Sequence, residues 1–193
     1  MNIIVLTGGT LGGKTTIINN LKTKYKDEII IIPEVACLLF EEEFKRPDRR
    51  SLEWHYSLQR GILKGQYELE EKAKEEARKN GVGLIVCDRG LLDPSAYLKD
   101  GLVELTREFG INEGEALSRY DQIIHLVSLS VLNPALYEKF ASTNPHRIES
   151  IKEARKQEAG TIQAWKSHPN RVILAGEMNA SMKKIFEITE AYI

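Results

Sequence analysis

The sequence is poor in cysteine, in histidine and in long apolar runs, and each shortage narrows the range of functions. Cys37 and Cys87, the only two cysteines, are fifty residues apart and match no metal-ligand or redox spacing. Two reduced, mostly buried thiols in a cytoplasmic protein are expected. The histidines His55, His125, His146 and His168 are scattered, which argues against a histidine-built metal site. No window approaches the ~20 apolar residues a membrane span needs. Asn2–Leu6, with no basic region before it, is too short for a signal-peptide core. A formal net charge of −1 provides no global field for nucleic acid or an anionic membrane. Internal repeats and low-complexity linkers are also lacking.

What is present is an ordinary globular composition, 42% hydrophobic and 28% charged, in 193 residues. That length suits one domain, 1–193, with at most a small mobile lobe. Short β-rich runs alternate with helical stretches. Strands are expected at Asn2–Leu6, Ile29–Ile32, Leu84–Cys87, Gln122–Val127 and Arg171–Leu174, and helices at Lys14–Lys26, Glu34–Phe44 and Ser51–Asn80. In the last helix the pairs Glu70/Lys74 and Glu75/Lys79 read as a solvated face. Several strands are almost wholly apolar, the pattern of a parallel sheet covered on both faces. The expected fold is therefore a three-layer α/β domain, with its chemistry beyond the carboxyl ends of the strands.

The first strand end carries "LTGGTLGGKTT". Gly8-Gly9-Thr10-Leu11-Gly12-Gly13-Lys14-Thr15 fits G-x-x-x-x-G-K-[ST], between an expected strand and an expected helix. The glycines let backbone N–H groups turn inward on an anion, and the helix N-terminus adds partial positive charge. Gly8, Gly9, Thr10, Leu11, Gly12, Gly13, Lys14, Thr15 and Thr16 are the expected nucleotide-binding residues. Lys14 is expected at the β- and γ-phosphates, and Thr15 on Mg²⁺. No guanine-reading N-K-x-D motif occurs, which favours ATP over GTP.

Other strand ends add chemistry. Glu34 follows the isoleucine strand, where a carboxylate can take the proton from a hydroxyl attacking a phosphate. An acceptor that is already an anion would be repelled, so a hydroxyl-bearing acceptor is favoured. Asp88 follows four apolar residues as a Walker B aspartate does, a second candidate Mg²⁺ ligand, and Arg89 beside it can clamp a phosphate or acceptor. Asp93, before Pro94, reads as a helix N-cap. The stretch after Val127 reads as irregular, and a helix is expected to begin at Arg147. A mobile lid over about 128–160 would bring Arg147, and secondarily Arg155, over the transferring group. Ile148, Ile151, Ile162 and Trp165 read as the buried stripe of that helix.

Together "TGGTLGGKTT", "PEVA", "CDRG" and "RYDQIIHL" resemble the nucleoside/nucleotide-kinase-like P-loop proteins, which include thymidylate kinase, deoxynucleoside kinases and nicotinamide riboside kinases. More narrowly, "IIPEVACLLF", "CDRGLLDPSAY", "YDQIIHLV" and "AWKSHPNRVIL" are similar to small AAA-labelled, kinase-like domains, among them the TRPL-translocation-defect-type proteins. The resemblance runs from residue 3 to about residue 175. It implies a sheet order 2-3-1-4-5, Lys14 and Thr15 at the triphosphate, Glu34 and Asp88 at acceptor and metal, and Arg147 in the lid. The chain departs from its relatives at Cys37, where some carry arginine, and at Pro33, which precedes Glu34 instead of following it.

Two functions follow as expectations. One is a kinase passing the ATP γ-phosphate to a nucleoside-like small-molecule acceptor, with Trp54, Tyr56 and Gln59 walling the pocket. The other is an ATP- or GTP-dependent binding module with slow hydrolysis and a protein or lipid partner. In either case a homodimer is compatible with the sequence.

Overall fold

Runs of β-branched residues make the sheet. In the computed structural model, which describes residues 1–42, 51–142 and 149–193, the strands are β1 (Asn2–Thr7), β2 (Ile29–Ile32), β3 (Leu84–Asp88), β4 (Gln122–Leu126) and β5 (Arg171–Leu174). All pair in parallel, in the order β2-β3-β1-β4-β5. Each expected strand is present within a residue or so.

Alternation along β1 distributes the core to both faces. Ile3 and Val5 join Ile85, Cys87 and Ile123 in one cluster, with Leu63, Leu92 and Trp165 packed over them. Ile4 and Leu6 join Leu84, Val86 and Ile124 in the other, beneath Ile17, Leu21 and Ile185. The second face is covered by α1 (Lys14–Tyr25) and by the last helix, Met178–Glu190.

The remaining helices follow in chain order: α2 (Val35–Glu42), α3 (Leu52–Asn80), α4 (Leu102–Phe109), α5 (Glu113–Ser118), α6 (Leu129–Leu132), α7 (Pro134–Ser142), α8 (Ile151–Ala164) and α9 (Met178–Glu190). Ser51 caps α3 by accepting the Trp54 N–H. Ser150 and Glu153 form a reciprocal capping box on α8.

Four expectations change here. The stretch after Val127, read as irregular, contains α6 and α7, because prolines tolerated in a first helical turn do not break a helix. The helix expected from Arg147 begins at Ile151, where Ser150 offers the cap. Arg147 itself lies outside the described residues, as does Ile148. Glu70 is not on a solvated face: it is fully buried, and Arg119 holds it through Nε and Nη2 at 3.0 and 2.8 Å. Cys37 is exposed, whereas Cys87 is buried as expected.

Candidate active site

Parallel pairing brings the carboxyl ends of the strands to one edge. Leu6 of β1 is in register with Asp88 of β3, and Thr7 with His125 of β4. At that edge the chain after β1 curls through Gly8 (φ 130°), Leu11 (φ 59°) and Gly13 (φ 91°). At Gly8 a side chain is impossible, because a Cβ there would stand 2.0 Å from the Leu126 carbonyl oxygen. Leu11 adopts the left-handed region without glycine's freedom, a local strain held by the loop around it. Helix α1 begins at Lys14 with no side-chain cap and no acidic residue in its first turn. Its leading N–H groups are therefore left for an anion.

Lys14 is buried, and its Nζ donates to the carbonyls of Gly8 and Gly9 at 2.9 and 3.0 Å. Burial, with the Arg89 charge adding, lowers its pKa to about 8, against the pull of Glu34 and Asp88. A dianionic phosphate beside this ammonium would raise that pKa again.

Arg89 connects the loop to the next carboxylate. Its Nε donates to Glu34 Oε1 at 2.6 Å, and its Nη1 to Gly8 O at 3.2 Å and Asp93 Oδ1 at 3.3 Å. The residue sits at φ 75°, a region that residues other than glycine seldom adopt, and its carbonyl accepts from Gln66 Nε2 at 3.3 Å. Burial works to raise the Glu34 pKa, but the Arg89 and Lys14 charges override it and leave it at about 2. Asp88 shows the reverse: burial, with the Glu34 charge adding, pushes it up to about 6. Its Oδ1 has no hydrogen-bond partner among the described residues.

Lys14, Glu34 and Arg89 line a cavity of about 1000 Å³, and Asp88 lies behind them, outside its lining. Thr10 to Thr16, Glu34, Arg89 and Asp93 line one part of it, and Phe40, Trp54, His55, Gln59 and Tyr97 another. The Phe40 and Trp54 rings stack with centroids 6.4 Å apart. Gln59 is only 3% exposed, and its Oε1 has no partner among the described residues.

The structure thus brings together the glycine loop, Lys14, Thr15, Glu34, Asp88 and Arg89, and adds Trp54 and Gln59. It leaves two others out. Tyr56 OH donates to Glu104 Oε1 at 2.5 Å and its ring packs edge-on to Phe109, away from the cavity. Arg155 Nε donates to the Ser130 carbonyl at 2.8 Å. Asp93 is corrected most sharply. It is no simple cap: buried, it accepts from Thr7 Oγ1, from Arg89, from the Gly90 N–H at 3.0 Å and from Trp165 Nε1 at 3.1 Å. An aspartate before proline gives the same local signal in both cases, and only the tertiary contacts separate them.

A family profile described as an AAA domain matches residues 3–180. No curated protein sequence matches the chain at a significant level. Among solved structures, deoxyadenosine kinase from M. mycoides with bound dATP superposes with a TM-score of 0.64, covering 98% of this chain and all of that one at 14% identity. At that identity the likeness is one of fold. The profile takes in every strand of the sheet, and the strand order read from the backbone is the one the resemblance implies. The chain belongs to the AAA-domain family and has the fold of a P-loop nucleoside kinase.

Proposed function

We propose that the chain is a kinase that moves the γ-phosphate of ATP to a hydroxyl of a small, nucleoside-like acceptor. The observation that carries this reading is Arg89, which touches the glycine loop through Gly8 O and Glu34 through its other nitrogen. One cation therefore links a polyphosphate-sized cradle to a carboxylate, inside a single cavity.

The residues fit the groups the reaction needs. Cramped glycines, the uncapped start of α1 and the buried Lys14 suit a triphosphate. The Thr15 hydroxyl, on the cavity wall, and Asp88, with its unpartnered oxygen and its charge interaction with Lys14, suit Mg²⁺. Among the described residues no group of three or more His, Cys, Asp or Glu could hold a metal. That agrees with an ion that takes most of its ligands from phosphate and water. Bound ATP with its metal supplies the phosphoryl group.

The chain's own residues do the rest. Glu34, kept ionised by Arg89, accepts a hydrogen bond from the acceptor hydroxyl and takes its proton as the new P–O bond forms and the bond from the γ-phosphorus to the β,γ-bridging oxygen breaks, with ADP as the leaving group. Lys14 and Arg89 set positive charge where negative charge spreads over the phosphoryl oxygens. The Phe40–Trp54 stack offers a flat wall to a planar ring, and Gln59 Oε1 an acceptor for a ring N–H. Arg147 is assigned the lid cation on its sequence position.

The test is a screen of nucleosides and related cofactor precursors with γ-labelled ATP. Transfer of label to the primary hydroxyl of one of them is expected. Normal ATP affinity with no labelled acceptor would contradict a kinase and favour the nucleotide-dependent binding module.

A further inference from the structure

Behind the glycine loop lies an ionisable pair that the proposed transfer does not use. Glu158 of α8 and His125 of β4 are 2% and 1% exposed. His125 Nε2 stands 2.7 Å from Glu158 Oε1, and Glu158 Oε2 accepts the Gly9 N–H at 2.7 Å. The approach is close: a Cβ on residue 9 would stand 2.3 Å from that oxygen, so a side chain there would push the carboxylate aside. A buried carboxylate is retained only where hydrogen bonds satisfy it, and here one of them comes from the loop itself.

The peptide unit concerned joins Gly8 to Gly9. It is planar and trans, so its N–H and C=O point in opposite directions. The N–H end is held by Glu158. The other end, Gly8 O, accepts from Lys14 Nζ at 2.9 Å and from Arg89 Nη1 at 3.2 Å. Fixing one end fixes the other, and with it the place where both cations dock.

We propose that Glu158 is a positioning residue for the polyphosphate site: it orients the Gly8–Gly9 peptide, and through its carbonyl oxygen the Lys14 ammonium and the Arg89 guanidinium, while His125 orients the carboxylate. The proposal rests on the reading of the loop as a nucleotide cradle. Without an acceptor at position 158 the buried Gly9 N–H is unpaired, and the peptide turns to find another partner.

Glutamine and leucine at position 158 separate positioning from mere packing. In Glu158→Gln the amide oxygen still accepts the Gly9 N–H. Its NH₂ donates to His125 Nε2 once the ring proton moves to Nδ1, which has no partner among the described residues. Glu158→Leu fills similar volume and accepts nothing. Titration of MgATP and of tripolyphosphate, well below the melting midpoint, should show both weakened about 10-fold or more in Glu158→Leu and nearly unchanged in Glu158→Gln. Should the leucine variant fail to fold, Glu158→Asp, too short to reach both Gly9 and His125, is expected to show the same weakening. Wild-type affinity in the leucine or aspartate variant overturns the proposal, as does a glutamine variant no better than leucine. A wild-type chain that binds neither probe overturns the nucleotide reading as well, so the two failures are distinguishable.

Discussion

Replacing Asp93 by asparagine separates two roles that look alike in sequence. Asparagine and aspartate are nearly equal as helix N-caps, so a capping role predicts a change of only a few tenths of a kcal/mol. The structure predicts a large one. Four donors converge on two carboxylate oxygens: Thr7 Oγ1 and Arg89 Nη1 on one, the Gly90 N–H and Trp165 Nε1 on the other. In asparagine one of these oxygens becomes an NH₂. Turned toward Gly90 and Trp165, it strands two buried donors. Turned toward Thr7, it lets the hydroxyl rotate to accept but deprives Arg89 of one of its two carboxylates. The cheaper arrangement still leaves a charged donor short, which costs about 2–4 kcal/mol. For a chain of this size that lowers the melting midpoint by roughly 5–15 °C. Thermal unfolding followed by circular dichroism measures it directly. A variant melting within 2 °C of wild type would refute the convergence of these donors on Asp93.

Other outcomes follow from the same site. Lys14→Ala should weaken MgATP about 10–100-fold by removing charge-assisted contacts to phosphate, with the far-ultraviolet spectrum unchanged; equal affinity in calorimetry would remove Lys14 from the polyphosphate site. Glu34→Gln should destabilise the unliganded protein at pH 7 by about 1–2 kcal/mol, a figure discounted because the Glu34 side chain is 27% exposed. Because the Glu34 pKa is lowered to about 2 from 4.5, that stabilisation is complete above about pH 4.5 and lost as pH falls through about 2. Urea midpoints of wild type and variant should therefore differ less at pH 3 than at pH 7, and a constant gap would exclude the ion pair with Arg89 as its source.

What the sequence made legible is what is local. The glycine loop, Lys14 and the apolar strands each depend on neighbours within a few residues, and parallel pairing of such strands leaves Glu34 and Asp88 at one edge. Illegible were the groups whose partners are distant. Asp93 meets Thr7 across 86 residues, Glu158 meets Gly9 across 149, and Glu70 meets Arg119 across 49. Glu70 shows the reason most plainly: its i,i+4 lysine matches a solvated helix face, and tertiary burial overrides that pattern. Helix α9 shows a different failure, since it ends the chain without a side-chain cap or an acidic first turn to announce it.

Label transfer by Glu34→Gln tests most directly whether a carboxylate beside the glycine loop serves an attacking hydroxyl. With the best acceptor from the nucleoside screen, transfer from γ-labelled ATP should fall about 100-fold or more while MgATP affinity stays within about 3-fold of wild type. Transfer at the wild-type rate, with ATP bound as before, would contradict a role for Glu34 in the chemistry.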